Sequence, residues 1–326
     1  MRTIIVRLFL FLLLAFSSNY CNKAEALELD ASKSPLGFAL DISFAQAGLD
    51  FRSIQYDSSS IAENQSLSVL LHLNFTPPSP VTVTYTLDSA SSGISVGINP
   101  NSGGVSTITG SGSDYLYLNV PADSNCVGGS FVLKAVRSDT DIPEYVTFTV
   151  SDPDLCLFVL NNGGSHYQAV NFNGILGADQ ICAQNVPSAT NYPGDPTEYK
   201  AMLAGNLVGG GIRRMDDFSF FRANTKYVKF DGATWVDVMS SGTAAPIVNF
   251  GGGGSLTNAI STFDIWTGIT GGWATSPNNC QDASGSWRNN SSYGNYGQAS
   301  LLTINAVGYG AYPCSTGKDL VCVRVP

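Results

Sequence analysis

The sequence predicts a two-domain protein in which an all-β sandwich precedes an α+β domain closed by disulfides. Three observations support this prediction. Strand-like alternation recurs between residues 30 and 153, helix-like spacing appears at residues 174–182, and the chain has seven cysteines, six of them outside the N-terminal segment. A chain of 326 residues that is 44% hydrophobic is long enough to form both cores.

The composition narrows the classes of function. Only 13% of the residues are charged and the net charge is −9, so nucleic acids and anionic membrane surfaces are not expected as partners. The two histidines, His72 and His166, lie in different predicted domains, and catalysis by a histidine pair is therefore not expected. His72 alternates with apolar residues, which predicts a place on the polar face of a strand.

Residues 1–26 form a predicted export signal. Two arginines precede the apolar run Leu8–Phe16, which is too short for a stable membrane span, and a polar segment follows it. Two cleavage routes remain open. Ala24–Ala26 fits an ordinary signal peptidase site, whereas Cys21 resembles the lipid-modified cysteine of a bacterial lipoprotein, which the short gap after the apolar run favours. The second route would anchor the chain to the outer membrane through a lipid on Cys21.

Residues 27–153 have the pattern of an immunoglobulin-like β-sandwich. The segment VTVTYTL places Val81, Val83, Tyr85 and Leu87 on one face and threonines on the other. Similar strand-like segments occupy residues 67–75, 115–120, 130–136 and 145–150. Many short strands with turn residues between them and no helical pattern are typical of this architecture.

The start of this domain also resembles a known family. Ile61–Asn64 and the VTVTYT strand are similar to the start of a Calx-β or bacterial Ig-like module. Calx-β modules can bind calcium through clustered carboxylates, but the acids Glu63, Asp88 and Asp114 are scattered along this sequence, so no such site is expected. We expect the domain to act as a spacer or stalk.

Residues 154–326 form the second predicted domain, in which the strand-like alternation gives way to a mixture of strand-like and helix-like segments. Asp152–Asp154 acts as a short linker, and an apolar strand starts at Cys156. The segment GILGADQIC at residues 174–182 predicts an amphipathic helix with Cys182 on its inner face and Asp179 turned outward.

A second helix is predicted after residue 195. Asp195 is a suitable N-cap, Pro196 occupies the first helical position, and Glu198 stands three residues after the cap, as in a capping box. The apolar residues that follow, within YKAMLA, continue the pattern.

Together these elements resemble a C-type-lectin-like domain. The match consists of a strand, two helices, the element Trp266–Ile269 and three later cysteines, the last within a terminal strand. The elements GADQIC, YKAMLA and IWTGI are also similar to an uncharacterised bacterial family of secreted, lectin-like envelope proteins. The resemblance implies a disulfide between Cys182 and Cys322 and another between Cys280 and Cys314. Cys126 and Cys156 would then pair with each other.

Sugar-binding members of that fold hold calcium with a Glu-Pro-Asn or Gln-Pro-Asp loop and a later Trp-Asn-Asp. Here Ser276 replaces the acid of the first motif, and Arg288 brings a positive charge into the second. Only Asp282 is an acid nearby, whereas calcium needs several oxygen ligands. No cofactor or metal is therefore expected, although calcium stays open.

The loop from residue 273 to residue 296 is the predicted ligand-binding site. Aromatic residues mixed with short polar ones are typical of recognition surfaces. An equally weighted alternative is that two or three of these rings fill the core of the domain, as Trp235 and Trp266 are expected to do. The candidate ligand-binding residues are Trp273, Asn278, Asn279, Asp282, Trp287, Asn289, Tyr293 and Tyr296.

No motif of catalysis is found. Gly251–Ser255 lacks the lysine of a phosphate-binding loop and is expected to be a surface loop, and His166 has no orienting acid near it in the sequence. Arg213 and Arg214 beside Asp216–Asp217 indicate a solvated charge cluster.

The sequence thus predicts an exported bacterial binding protein, an adhesin that is secreted or anchored at the cell surface. Its expected ligand is a matrix protein, another host surface protein or a glycan. The alternatives are a structural envelope protein without a soluble ligand and a secreted hydrolase.

Overall fold

The computed structural model describes residues 53–325, apart from residues 102, 110–111, 141, 189–191, 217–219 and 244–254. The predicted export signal with Cys21, the start of the sandwich before residue 53 and most of the glycine loop at 251–254 therefore lie outside the described residues.

Nine strands form two sheets that share one hydrophobic core. The strands are β1 (Ile54–Tyr56), β2 (Ser60–Ala62), β3 (Gln65–Leu73), β4 (Val81–Ala90), β5 (Gly97–Ile98), β6 (Val105–Ile108), β7 (Ser113–Val120), β8 (Gly129–Arg137) and β9 (Glu144–Ser151). Their order is β1-β3-β7-β5 in one sheet and β2-β9-β8-β4-β6 in the other. Tyr56 packs edge-on against Phe148 of the opposite sheet, with ring centroids 6.3 Å apart. We call this unit, residues 53–151, the sandwich.

The predicted alternation in β4 is confirmed for most of the strand. Val81, Val83 and Tyr85 are buried, whereas Leu87 is exposed. A register shift between β4 and β8 follows directly after Leu87, and the regular alternation ends at this point of the strand. His72 lies on the exposed face of β3, as its spacing predicts.

The remaining residues, 155–325, form a second unit that we call the head. Its helices are α1 (Ala169–Phe172) and α2 (Ile175–Gln184), and single 3-10 turns occur at Asn162–Gly164, Pro196–Glu198 and Ile304–Ala306. Its strands are β10 (Leu155–Leu160), β11 (Tyr199–Ala201), β12 (Gly205–Asn206), β13 (Ile212–Arg213), β14 (Lys226–Phe230), β15 (Trp235–Ser240), β16 (Ser255–Leu256), β17 (Ile265–Trp266), β18 (Tyr293–Gly297), β19 (Gly310–Pro313) and β20 (Leu320–Arg324).

A six-stranded sheet forms the centre of the head. Its order is β11-β20-β10-β14-β15-β16, so the first and the last strand of the head, β10 and β20, lie side by side. A smaller sheet has the order β17-β18-β19. The apolar composition of β10 and β20 explains their central place, because every residue of β20 from Leu320 to Val323 is buried.

Helix α2 begins one residue later than predicted, and Cys182 lies on its buried face as predicted. Gly174 precedes it with a φ of 96°, a conformation that favours glycine. Asp179, predicted to face solvent, is buried. Its carboxylate accepts a hydrogen bond from the Ala201 backbone N–H at 2.9 Å and pairs with Arg213 at 2.6 Å. These partners offset the cost of burying the charge.

The predicted second helix is wrong. Pro196–Glu198 forms one 3-10 turn, and the chain then enters β11. The Asp195 carboxylate does cap the turn, since it accepts a hydrogen bond from the Thr197 N–H at 2.8 Å. Residues Tyr199–Ala201, however, pair with β20, and this tertiary pairing overrides the local helix signal.

Three disulfides are present, and their partners are those that the resemblance implies. Cys182 of α2 is bonded to Cys322 of β20. Cys280 is bonded to Cys314 within the head, and Cys126 of the sandwich is bonded to Cys156 of β10. Three such bonds indicate an oxidising, extracellular or envelope environment.

Within the described ranges, no helix is both long enough and apolar enough to cross a bilayer.

Candidate functional site

The structure corrects the ligand-binding role predicted for Trp273 and Trp287. Both indole rings are fully buried and cannot contact a ligand at the surface. Trp287 packs against Trp266 with ring centroids 5.6 Å apart, and its Nε1–H donates to the Ala204 carbonyl at 2.9 Å. Many strands of the head are only two to four residues long, and large rings such as these supply much of its core.

The other predicted ligand residues differ in their environments. Asn279 is buried and its amide donates to the Ser276 carbonyl at 3.2 Å, which is a structural role and corrects the prediction. The Asp282 carboxylate lies 3.7 Å from the Arg288 guanidinium. Tyr293 is exposed and its ring is free to contact a partner. Asn278 is also exposed, and Asn289 is half-buried.

Tyr296 belongs to a different place, an open groove on the head. Three segments and one strand pair form it, namely the turn after β10, the approach to β17, the turn before β20, and strands β18 and β19. The volume of the groove is about 520 Å³. We call it the His166–Lys318 groove; its lining residues are His166, Thr262, Phe263, Asp264, Tyr296, Tyr312, Thr316, Gly317 and Lys318.

Lys318 is held on the floor of the groove. Its ammonium lies 3.8 Å from the ring centroid of Tyr296 and 4.7 Å from that of Tyr312. The same nitrogen is 2.8 Å from the Asp264 carboxylate. Only 5% of the Lys318 side chain is exposed, so these contacts act in a largely water-free setting, where a cation–π contact contributes about 2 kcal/mol. The ammonium is therefore fixed in place.

His166 is fixed by an acid that the sequence analysis missed. Its Nδ1 lies 2.7 Å from the buried Asp319 carboxylate, whose second oxygen accepts a hydrogen bond from the Ser261 hydroxyl at 2.9 Å. The expectation that His166 has no orienting acid is thus wrong. Its backbone φ is 59°, a strained value for a residue with a side chain, and such strain is concentrated at functional sites.

The partners of His166 limit the chemistry. With Nδ1 facing Asp319, Nε2 is the ring nitrogen that remains for another partner. The Ser261 hydroxyl donates to Asp319 and not to His166, so this trio lacks the nucleophile–base hydrogen bond of a serine hydrolase. The arrangement suits a histidine whose fixed Nε2 forms a hydrogen bond with a ligand.

A second candidate site lies where the sandwich meets the head. Carboxylate oxygens of Glu63, Asp123 and Asp152 all lie within 4.8 Å of one another, and we call these residues the junction cluster. Glu63 follows β2, Asp123 follows β7 and Asp152 follows β9. Asp88 and Asp114, the acids that the sequence analysis considered together with Glu63, are not in this cluster. Asp152, assigned only to a linker, is one of the partners of Glu63.

Two carboxylate oxygens of the junction cluster are buried without hydrogen-bond partners among the described residues. They are the Glu63 Oε1 and the Asp152 Oδ2, and Glu63 is only 3% exposed. Burial, reinforced by the negative charge of Asp123, raises the pKa of Glu63 to about 7; burial and the neighbouring acids raise that of Asp152 to about 8. Three close oxygen ligands without nitrogen or sulfur suit a hard divalent cation such as Ca²⁺.

The predicted solvated charge cluster is only partly correct. Arg213 is mostly buried against Asp179, so it is a structural residue of the head. Arg214 does form a surface pair with Asp216, at 2.7 Å. Asp217 lies outside the described residues.

Comparisons with known proteins give little further information. The family model "Protein of unknown function (DUF1554)" matches residues 165–303, which is less than half of the chain and lies within the head. No curated protein matches.

Similar solved structures align over limited parts of the chain. The YadV chaperone is 16% identical, with a TM-score of 0.24, over 31% of this chain and 53% of its own. This chain thus spans about half the length of that chaperone. The CsuC–CsuE chaperone–tip adhesion subunit complex of Acinetobacter baumannii is 13% identical, with a TM-score of 0.25, over 34% of this chain and 67% of its own. A two-domain protein of unknown function from Bacteroides fragilis is 10% identical, with a TM-score of 0.24, over 60% and 82%. All three TM-scores are 0.25 or below, so these similarities identify no shared fold.

Proposed function

We propose that this chain is an exported bacterial binding protein, an adhesin in which an immunoglobulin-like sandwich presents a C-type-lectin-like head to an extracellular protein or glycan. The three disulfides support an extracellular or envelope location. The proposal includes attachment to the outer membrane through Cys21 or, after ordinary cleavage, release from the cell.

The observation that supports this proposal most is the preorganised His166–Lys318 groove. Lys318 and His166 are each held by a carboxylate, so little side-chain freedom is lost when a ligand binds. Phe263 and Tyr312 are exposed rings on its walls. A concave site with a few fixed polar groups and aromatic walls is the usual form of a ligand site.

The groove is a better candidate than the loop at residues 273–296. Two tryptophans of that loop are in the core, and its acid, Asp282, is beside an arginine. The groove, by contrast, places exposed rings and polar side chains around one cavity.

A blocking substitution tests the groove without removing a core residue. Thr262 is exposed on the lining, and Thr262→Trp would fill the cavity for any ligand. Ala233→Trp, in the exposed turn between β14 and β15, is the matched control. Both variants and the unmodified protein are screened against matrix proteins and a glycan array, with calcium and with chelator. We expect binding to be lost in Thr262→Trp alone; equal binding by all three proteins would refute the proposal.

We further propose that the junction cluster binds Ca²⁺ and thereby stiffens the connection between the sandwich and the head. Three mutually repelling carboxylates in a buried place destabilise the folded state, and a divalent cation would compensate them. Glu63, Asp123 and Asp152 would supply the ligands. The test is thermal unfolding in Ca²⁺ and in EDTA for the unmodified protein and for Glu63→Gln. We expect Ca²⁺ to raise the melting temperature of the unmodified protein only; equal shifts in both would exclude the cluster.

A further inference from the structure

The charges in the His166–Lys318 groove are already paired within the protein. The Lys318 ammonium is 2.8 Å from the Asp264 carboxylate, and His166 is 2.7 Å from the Asp319 carboxylate. An anionic ligand would have to compete with Asp264 for the Lys318 ammonium and would be repelled by both carboxylates. The groove is therefore poorly suited to a carboxylate or sulfate ligand.

A cationic ligand meets the opposite obstacle. The ring faces of Tyr296 and Tyr312 that would attract a quaternary or primary amine are already covered by the Lys318 ammonium, at 3.8 and 4.7 Å. That ammonium would also repel a second cation. The internal lysine thus occupies the place that an aromatic cage would offer to a cationic ligand.

What remains open in the groove is one apolar wall and several hydrogen-bonding groups. Phe263 is 55% exposed and stands 5.0 Å from the His166 ring. Thr262 and Thr316 add hydroxyl groups, and Asp264 keeps 40% of its side chain exposed. The exposed ring of Phe263 can pack against a face rich in C–H groups, and the neighbouring hydrogen-bond donors and acceptors can bind hydroxyl groups. A ligand that has one such face and hydroxyl groups around it therefore complements the groove.

We infer that the groove binds a neutral carbohydrate and that it does so without calcium. This inference rests on the proposed function, in which the groove is the ligand site of the head. A volume of about 520 Å³ lies within the range of about 300–1,000 Å³ for small-molecule sites, so a short oligosaccharide fits. Calcium is not needed, because Asp264 and Asp319 already have Lys318 and His166 as partners. The sugar would place its C–H face on Phe263 and its hydroxyl groups toward Asp264 and the threonines.

The experiment compares two exposed aromatic residues of the head. Phe263 and Tyr293 have the same exposed fraction, 55%, but only Phe263 lines the groove. The unmodified protein, Phe263→Ala and Tyr293→Ala are applied in EDTA to an array of neutral, sialylated and sulfated oligosaccharides. The strongest neutral ligand is then titrated by calorimetry. We expect neutral ligands to bind in EDTA, about tenfold more weakly to Phe263→Ala and equally well to Tyr293→Ala.

Several results would overturn the inference. These are the absence of neutral ligands on the array, binding that EDTA abolishes, a preference for sialylated or sulfated ligands, or greater weakening by Tyr293→Ala than by Phe263→Ala. Circular dichroism melting of both variants shows whether any loss comes from unfolding. If Thr262→Trp blocks a matrix protein that no neutral sugar displaces, this inference fails while the proposed function stands. If Thr262→Trp blocks nothing, the proposed function fails as well.

Discussion

The disulfide between Cys182 and Cys322 should contribute more to stability than either of the other two. It closes a loop of 140 residues, whereas the bonds at Cys280–Cys314 and Cys126–Cys156 close loops of 34 and 30 residues. In the chain-entropy model the long loop corresponds to about 5 kcal/mol at 25 °C and the short ones to about 3.7 kcal/mol. The free energy of unfolding of a domain is about 5–15 kcal/mol. The Cys182–Cys322 bond therefore contributes a large part of the stability of the head.

The test compares two double variants of the same chemistry. Cys182→Ala/Cys322→Ala and Cys280→Ala/Cys314→Ala each remove two buried sulfur atoms, so the cost of the cavities is similar in both. A loss of about 5 kcal/mol corresponds to a fall in melting temperature of about 10–20 °C for a domain of this size. The difference of about 1.3 kcal/mol between the two bonds predicts that the first variant melts about 3–5 °C below the second.

Tryptophan fluorescence makes the assay specific for the head. The chain has four tryptophans, at positions 235, 266, 273 and 287, and all of them are in the head. Far-UV circular dichroism follows the sandwich strands as well. The fluorescence transition should therefore move to lower temperature in Cys182→Ala/Cys322→Ala while part of the dichroism transition stays. An unchanged fluorescence midpoint, or a larger shift in the Cys280→Ala/Cys314→Ala variant, would refute the loop-length reasoning.

Three further predictions concern the core, a buried ion pair and pH. Trp287→Ala should lower the free energy of unfolding of the head by about 3–5 kcal/mol because it empties a fully buried site, whereas Tyr293→Ala should change it by less than about 0.5 kcal/mol. Urea unfolding measures both values. If Trp287→Ala left the free energy of unfolding unchanged, the Trp287 ring would have to lie at the surface. Arg213→Met leaves the buried Asp179 carboxylate without its counter-charge and should lower the free energy of unfolding by about 3 kcal/mol. Adding Asp179→Asn should recover part of this loss. If the double variant recovered nothing, the result would argue against the ion pair. The raised pKa values of the junction cluster favour the protonated folded state, so in EDTA stability should fall as the pH rises from about 4 to about 8, and Ca²⁺ at pH 8 should restore it. Melting curves across this range, repeated with Glu63→Gln, would contradict the prediction if stability rose with pH in EDTA.

The longer strands of the sandwich could be predicted from the sequence because their signal is local. Alternation over a few residues is enough to place β3, β4, β7, β8 and β9, and the apolar run around Cys322 is enough to place β20. The local signal failed where a distant segment decided the structure. Asp195–Glu198 has the residues of a helix start, yet β20, more than a hundred positions later, takes the next residues into its sheet.

Both candidate sites were missed for the same physical reason. His166 and Asp319 are 153 positions apart, and Glu63 and Asp123 are 60 positions apart, so neither pair leaves a spacing that a sequence pattern can detect. The aromatic residues of the loop at 273–296 did stand out, but composition cannot distinguish a ring that binds a ligand from one that fills a core. Trp287 and Tyr293, six positions apart, have opposite environments.

The bond between Cys126 and Cys156 also has a mechanical consequence. It joins two points 30 positions apart, and β8 and β9 lie on the chain between them. Tension applied between the sandwich and the head would pass through the sulfur atoms and bypass the covalent backbone of residues 127–155. Without the bond, the same stretch could be drawn out by about 100 Å, at 3.3–3.6 Å per residue. The covalent shortcut therefore limits how far the chain can extend under shear before its central strands separate.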